Sequence, residues 1–314
     1  MTKPKRQFKR EMTEADLCGL IAQVPPDVDL FDALPLETST EQLLKKSARW
    51  ATSYTMNPVL LCCAVFSSNR ASAERRYVET TYSASNGASV EYRGKELCQD
   101  DLTVLLALIH EHAGKGAHEK VEFAPYTFCK KIWGSDAPSN VMRLHASLLR
   151  MKGAFLIVKA APVEGRKLSK LAKAIGSGWT MGFVANFEFK DLPRWEVTID
   201  PRIGQLFQTQ PTYLIIERRQ QLTEGIQTWL YGYIEANTCH YTMELSMLHT
   251  HSGSTAPLKE FARQVRDAIP KLVAAGVLRP TSTVKNGKVN FFKVQSSAPT
   301  ARLAAPGSPA LAAP

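Results

Sequence analysis

The order helix, strand, helix, turn, helix, then extended segments occurs twice in this chain, and few folds accommodate that repeat. In the first copy, 100–112 (DDLTVLLALIHEH) has helical apolar spacing and 119–124 alternates as a strand. Segment 125–133 (PYTFCKKIW) is a short helix with proline at its tolerated first position. A turn, GSDAPS, leads into the helix 140–151, with Gly153 as its stop and a strand over 154–160. In the second copy 222–236 is helical, 239–243 is extended and 244–251 is a short helix. The turn SGSTAP precedes a long helix over 258–275, which Pro270 breaks or kinks and Gly276 ends. Strands follow at 277–280 and 284–294, the latter turning at Lys-Asn-Gly-Lys (285–288), a strong hairpin signal. This is the order of a winged helix, a helix-turn-helix with an attached β-hairpin. The expected fold class is α+β, with two tandem winged-helix domains and flexible tails. The boundaries are 1–38 for a basic arm and an acidic, Pro-rich linker, 39–210 and 211–295 for the two domains, and 296–314 for an Ala/Pro tail. Val59 to Phe66 reads as a buried strand of the first domain.

Charge says what such a chain meets. The net charge is +10, and residues 251–314, with 9 basic and 2 acidic groups, hold +7 of it. A surplus placed in this way points to a polyanion, either nucleic acid or an anionic membrane surface. The longest wholly apolar run, 59–66, is far shorter than the roughly 20 residues of a membrane helix. No apolar segment follows the basic start, so no secretory signal is expected. The six cysteines (Cys18, Cys62, Cys63, Cys98, Cys129 and Cys239) lack metal-site or disulfide spacing, and a reducing cytoplasm is the expected compartment.

At about 100° per residue, Leu258, Phe261, Ala262, Val265, Ile269 and Leu272 share one side of the long helix. Lys259, Arg263 and Arg266 form a separate stripe, with Glu260 and Asp267 beyond it. A basic stripe opened by Ser252, Ser254 and Thr255 suits a major groove: hydroxyls and amides meet phosphates while long cations reach base edges. An ordinary solvated face has the same look; Lys285 and Lys288 on the adjoining hairpin tip the balance toward DNA. In the first copy Val141, Leu144, Leu148 and Met151 form the apolar side, and Ser139, Arg143, Ser147 and Arg150 lie on the other, with Lys130 and Lys131 on the preceding helix. Base readout and a structural or dimerising role are both open there. Arg166, Lys167, Lys170 and Lys173 form a basic insertion in the first wing that either tracks a DNA backbone or has no partner.

No phosphate-binding loop of the P-loop type is present, and no cofactor is expected. The pairs His110-Glu-His112 and His249-Thr-His251 have the spacing that rolling-circle nicking enzymes use for a metal, with Tyr231 or Tyr233 as a conceivable nucleophile. Both pairs fall near helix ends, where side chains two apart diverge. Tyr233 suits an apolar helix face, and Cys62, Cys63, Trp133, Trp195 and Trp229 read as packing residues. No catalytic or metal-binding set is therefore expected. A metal-dependent nicking endonuclease and a winged-helix transcriptional repressor remain as alternatives.

Several segments in fixed order carry a resemblance: VEYRGKEL, VEFAPYTFCKKIWGS, RWEVTIDPRIGQLF, TWLYGYIEAN and ELSMLHTHSGSTAPLKEFARQVRDAIPKLVAAGVL. From about residue 88 to 294 the chain resembles the iteron-binding plasmid replication initiators of the TrfA type. The resemblance implies that the second winged helix reads directly repeated origin sequences, while the first makes backbone contacts and dimerises. It implies origin opening by monomers, copy-number control through dimers, and contacts with a host initiator, replicative helicase and sliding clamp. Asp27-Val28-Asp29-Leu30-Phe31 keeps the Asp-Leu-Phe end of that family's clamp-binding segment but lacks its Gln. Leu30 and Phe31 are the implied anchors, and packing of the same pair on the first domain is the other reading.

Overall fold

The computed structural model describes residues 53–72, 74–83, 88–113, 119–160, 179–189, 193–203, 211–237 and 241–294. Strand β1 (Ser53–Met56) leads into α1 (Pro58–Leu61) and the two-residue strand β2 (Phe66–Ser67). The buried strand expected over 59–66 is thus mostly a helical turn. Pro58 occupies its first position, and the Asn57 side chain accepts a hydrogen bond from the Val59 N–H at 2.7 Å, which caps it.

The first unit continues through β3 (Tyr77–Ser83), β4 (Ala88–Lys95), β5 (Leu97–Cys98), α2 (Gln99–His112), β6 (Val121–Phe123), α3 (Pro125–Trp133) and α4 (Pro138–Lys152). Then come β7 (Phe155–Ala160), β8 (Trp179–Met181), β9 (Val184–Glu188) and β10 (Trp195–Ile199). The second unit holds β11 (Thr212–Ile215), α5 (Ile216–Gln220), α6 (Ile226–Ala236), β12 (Tyr241–Glu244), α7 (Leu245–Ser252), α8 (Leu258–Ala274), β13 (Thr283–Lys285) and β14 (Lys288–Phe291). The class is α+β. Gly225, at φ 108°, stands at the start of α6, so the helix expected over 222–236 begins only at Ile226.

The repeat of elements extends to the sheets. Strands β12, β14 and β13 pair in that order, and β6, β10 and β9 pair in the same order. The hairpin that corresponds to β13–β14 is therefore β9–β10. The basic insertion with Arg166, Lys167, Lys170 and Lys173 falls between β7 and β8, which belong to a different sheet, β3–β4–β7–β8. That placement corrects the expected first wing; the insertion itself lies outside the described residues, as do Leu30 and Phe31.

The packing does not divide at residue 210. β1 pairs antiparallel with β11, α1 packs on α6, and the buried apolar side chains of both units form one continuous cluster. Gly253, in the turn between α7 and α8, has φ 62°, and a Cβ there would lie 2.7 Å from that of Ala64. Only glycine meets both demands. Among the described residues no helix is long and apolar enough to cross a membrane.

The first turn of α2 organises the polar interior. Asp100 and Asp101 are 2% and 0% exposed. Asp101 accepts from the Cys98 N–H at 2.9 Å, closing the helix start, from Ser147 Oγ at 2.6 Å, and from Arg150 Nη2 at 2.7 Å. Arg75 forks onto both oxygens of Asp100 at 3.1 and 2.9 Å, and Arg143 Nε reaches the same carboxylate at 3.5 Å. Burial and the neighbouring Asp100 push the Asp101 carboxyl above its usual range; Arg150 and Ser147 pull it back. Arg219, 3% exposed, ties α5 to the same turn through the Gln99 carbonyl at 3.1 Å and Thr103 Oγ1 at 3.0 Å.

Removing one member of a buried ion network leaves its partners charged and dry. Asp101→Ala is therefore expected to destabilise the fold by about 3–5 kcal/mol, and Ser147→Ala by about 1–2 kcal/mol. Urea unfolding followed by circular dichroism measures both; equal midpoints for the two variants would remove Asp101 from this role.

Candidate nucleic-acid interface

Helix α8 separates its faces as its sequence requires. Phe261, Ala262, Val265, Ala268, Ile269 and Leu272 are buried, whereas Lys259, Arg263 and Arg266 are exposed. Leu258, expected in the core, is 44% exposed because it stands at the first turn, beyond the packed part of the helix. The helix also runs through Pro270 to Ala274. Proline donates no hydrogen bond to the Arg266 carbonyl, but Pro270 and Arg266 both lie on the exposed side, where that oxygen is open to solvent. Gly276, at φ 70°, follows the end of the helix, as expected.

The three cations of the stripe are not equivalent. Arg263 is gripped by its own helix: Nε and Nη2 fork onto Glu260 at 2.9 and 2.6 Å, and Nη1 meets Asp267 at 2.8 Å. The hydrogen bonds from Arg263 hold the Glu260 carboxyl below its usual range, and Glu260 in turn raises the guanidinium. Among the described residues Lys259 and Arg266 have no ion-pair partner, so their charges face solvent. The spacing of these acids, three before and four after Arg263, was legible as helical ion-pair spacing.

The turn before α8 spends its hydroxyls internally. Ser252 Oγ donates to the His249 carbonyl at 2.8 Å and accepts from the Ser254 N–H at 3.2 Å, and Ser254 Oγ accepts from Ala256 at 3.3 Å. Both the N–H and the hydroxyl of Thr255 donate to Asn69 Oδ1, at 2.9 and 3.2 Å. Asn69 also donates to the Gly253 carbonyl at 3.1 Å and to Glu96 at 2.7 Å. This asparagine fixes the turn from 186 residues away in sequence, and no local pattern marks it. α8 itself begins after Pro257 with no side-chain cap.

Beside α8 the β13–β14 hairpin turns at Asn286 and Gly287, with φ 52° and 72°, the left-handed pair that a type I′ turn needs. Lys285 is exposed beside the turn, while Lys288, opposite it, pairs with Glu244 at 3.2 Å and stays half exposed. The hairpin and the stripe thus present Lys259, Arg266 and Lys285 outward together with two partnered cations, Arg263 and Lys288.

The first unit differs. Ser139 is exposed, but Ser147 is 1% exposed, and Arg150 is directed with it at Asp101. Arg143 lies 4.3 Å above the Trp133 ring and is paired with Glu224 and Asp100. These three residues, expected on an outward face, form a seam between α4 and α2. The buried aspartates attract the polar side of α4, a tertiary effect that helical periodicity cannot register. Lys130 and Lys131 remain exposed on α3.

The residues of the nicking alternative are engaged separately. Tyr231 is buried, its hydroxyl accepts from the Ile215 N–H at 2.7 Å, and burial pushes its pKa up. His249 Nε2 lies 2.8 Å from the Ala256 carbonyl, whereas His251 Nδ1 lies 3.1 Å from the Tyr233 hydroxyl. The two imidazoles serve different neighbours. Among the described residues no three His, Cys, Asp or Glu side chains gather as a metal-binding group.

No protein-family model and no curated protein matches the chain. Among solved structures, it is similar to domains 2 and 3 of RctB, crystallised as selenomethionine derivatives: the identity is 16%, the match covers 76% of this chain and 99% of that one, and the TM-score is 0.50. A second crystal structure of RctB domains 2–3 aligns at 16% identity over 75% of this chain and 96% of that one, with a TM-score of 0.43. At such identity the likeness is one of fold.

Proposed function

We propose that this chain is a non-enzymatic replication initiator that binds directly repeated origin sequences through its second unit, built as a winged helix. The observation that carries this reading is α8: a helix with one wholly buried side, an outward row of cations, and a basic type I′ hairpin beside it. Such a helix suits a major groove, and the hairpin reaches an adjacent phosphate backbone. The equivalent strand order in the first unit supports a second winged helix, and the fold likeness spans both RctB domains, as two units in one chain require. The resemblance to iteron-binding initiators supplies the biological setting: origin opening, dimers that limit copy number, and a host initiator, helicase and sliding clamp as partners.

Within α8 the reading assigns base contacts first to Lys259 and Arg266, whose charges are unpaired among the described residues. Lys285 and Lys288 hold the backbone. Arg263 joins only if the groove offers more than Glu260 and Asp267 already do. In the first unit Ser139, Lys130 and Lys131 remain available to DNA; Arg143, Ser147 and Arg150 hold the fold.

The biological test is replacement: supplied in trans, the protein should maintain a plasmid whose own initiator has been deleted but whose repeat array is intact, and failure with a folded protein rejects the initiator role. In gel-shift titrations Lys259→Ala and Arg266→Ala should each lose about 1–3 kcal/mol of discrimination between cognate repeats and random duplex. Lys285→Ala should instead weaken both equally and reduce the salt slope by about one. Unaltered discrimination in both helix variants would sink the assignment of α8. The double variant Glu260→Gln with Asp267→Asn should release Arg263 and steepen the salt dependence of non-specific binding by about one ion, read from the slope of log affinity against log salt; an unchanged slope means that Arg263 never reaches phosphate.

A further inference from the structure

Where the two units meet, α3 and α4 face α5 and the start of α6 across an open cleft of about 590 Å³. That volume falls in the range of small-molecule sites, about 300–1,000 Å³. The reading surface of α8 and the β13–β14 hairpin does not include it.

Arg219 lines this cleft while 3% exposed. All its hydrogen bonds go to neutral oxygens: the carbonyls of Gln99 and Thr228, the Gln99 side chain, and the Thr103 hydroxyl. Its Nε has no partner, and among the described residues no carboxylate forms an ion pair with it. A guanidinium buried without a counter-charge is strongly unfavourable, and burial draws its pKa below the usual arginine range.

The acids nearby are already engaged. Glu224, on the cleft wall, accepts from Trp133 Nε1 at 3.0 Å and from Arg143. Lys131 pairs with Glu111. Lys130, on the same wall, is exposed and has no ion-pair partner among the described residues. The cleft therefore presents two cations without an ion pair of their own among the described residues, Arg219 deep and Lys130 at the surface, with Lys131 and Arg143 beside them; Glu224 acts on Arg219 only at longer range. A single carboxylate would answer one of these; a phosphate group carries enough charge and acceptor oxygens for several.

We propose that this cleft binds a small phosphate-bearing anion, which supplies the directly paired counter-charge that Arg219 does not have among the described residues and is met at the surface by Lys130. The site is independent of α8, so the two readings fail separately.

The test is calorimetric titration of the full chain, free of DNA, with inorganic pyrophosphate at low salt. One saturable site per chain is expected. Lys130→Ala should weaken it about fivefold. Arg219→Gln, if circular dichroism shows it folded, should abolish it; if that variant does not fold, Lys130→Ala decides. The double variant Lys259→Ala with Arg266→Ala should bind pyrophosphate as the parent does. Absence of saturable binding to the parent, undiminished binding by Lys130→Ala, or loss of binding in the α8 double variant would each overturn the proposal, the last by placing the anion on the DNA helix.

Discussion

Two adjacent aspartates that are buried at the start of one helix set the terms for the rest of the molecule. Asp100 and Asp101 require charge and hydrogen bonds from every side, because ionised carboxylates are not stable in a dry interior without them. Arg75 comes from the segment before β3, Arg143, Ser147 and Arg150 come from α4, and the Cys98 backbone closes the helix start. In the same part of α2, Gln99 and Thr103 receive Arg219 from the second unit. Strands, helices and the junction between units are thereby oriented relative to a single turn of α2.

That constraint explains why two units with one order of elements differ in use. The third helix of each is amphipathic with a polar side that includes arginine. In α4 the arginines face Asp100 and Asp101 and become part of the interior. In α8 no buried acid lies opposite among the described residues, and the same residue types face water, with Arg263 paired to Glu260 and Asp267 on its own helix. A cation's role is therefore decided by the acid it can reach. Arg219 forms no ion pair among the described residues, Glu224 acting on it only from a distance, and the cleft beside it is where that imbalance meets solvent.

Much of the local structure was legible. Pro125 at a helix start, Gly276 after α8, and Asn286-Gly287 between β13 and β14 each act through backbone geometry that depends on one or two residues. The 3.6-residue spacing gave the buried side of α8 almost completely. Errors arose where distant groups intervene. Val59–Phe66 is apolar throughout, so periodicity could not tell a helical turn from a strand, and Asn57 decided it. The corresponding first hairpin was displaced because β7 and β8 join another sheet, a pairing with β4 that local pattern does not contain.

The sequence by itself determined the α+β class, the doubled order of elements, and the concentration of positive charge on one helix and hairpin. These follow from periodicity, turn chemistry and counting, which act over a few residues. Only the tertiary structure decided which arginines are structural, that Asn69 fixes the turn before α8, and that Arg219 lies buried without an acid partner among the described residues. Those outcomes depend on groups up to 186 residues apart meeting in a medium of low polarity, where one carboxylate outweighs any local preference.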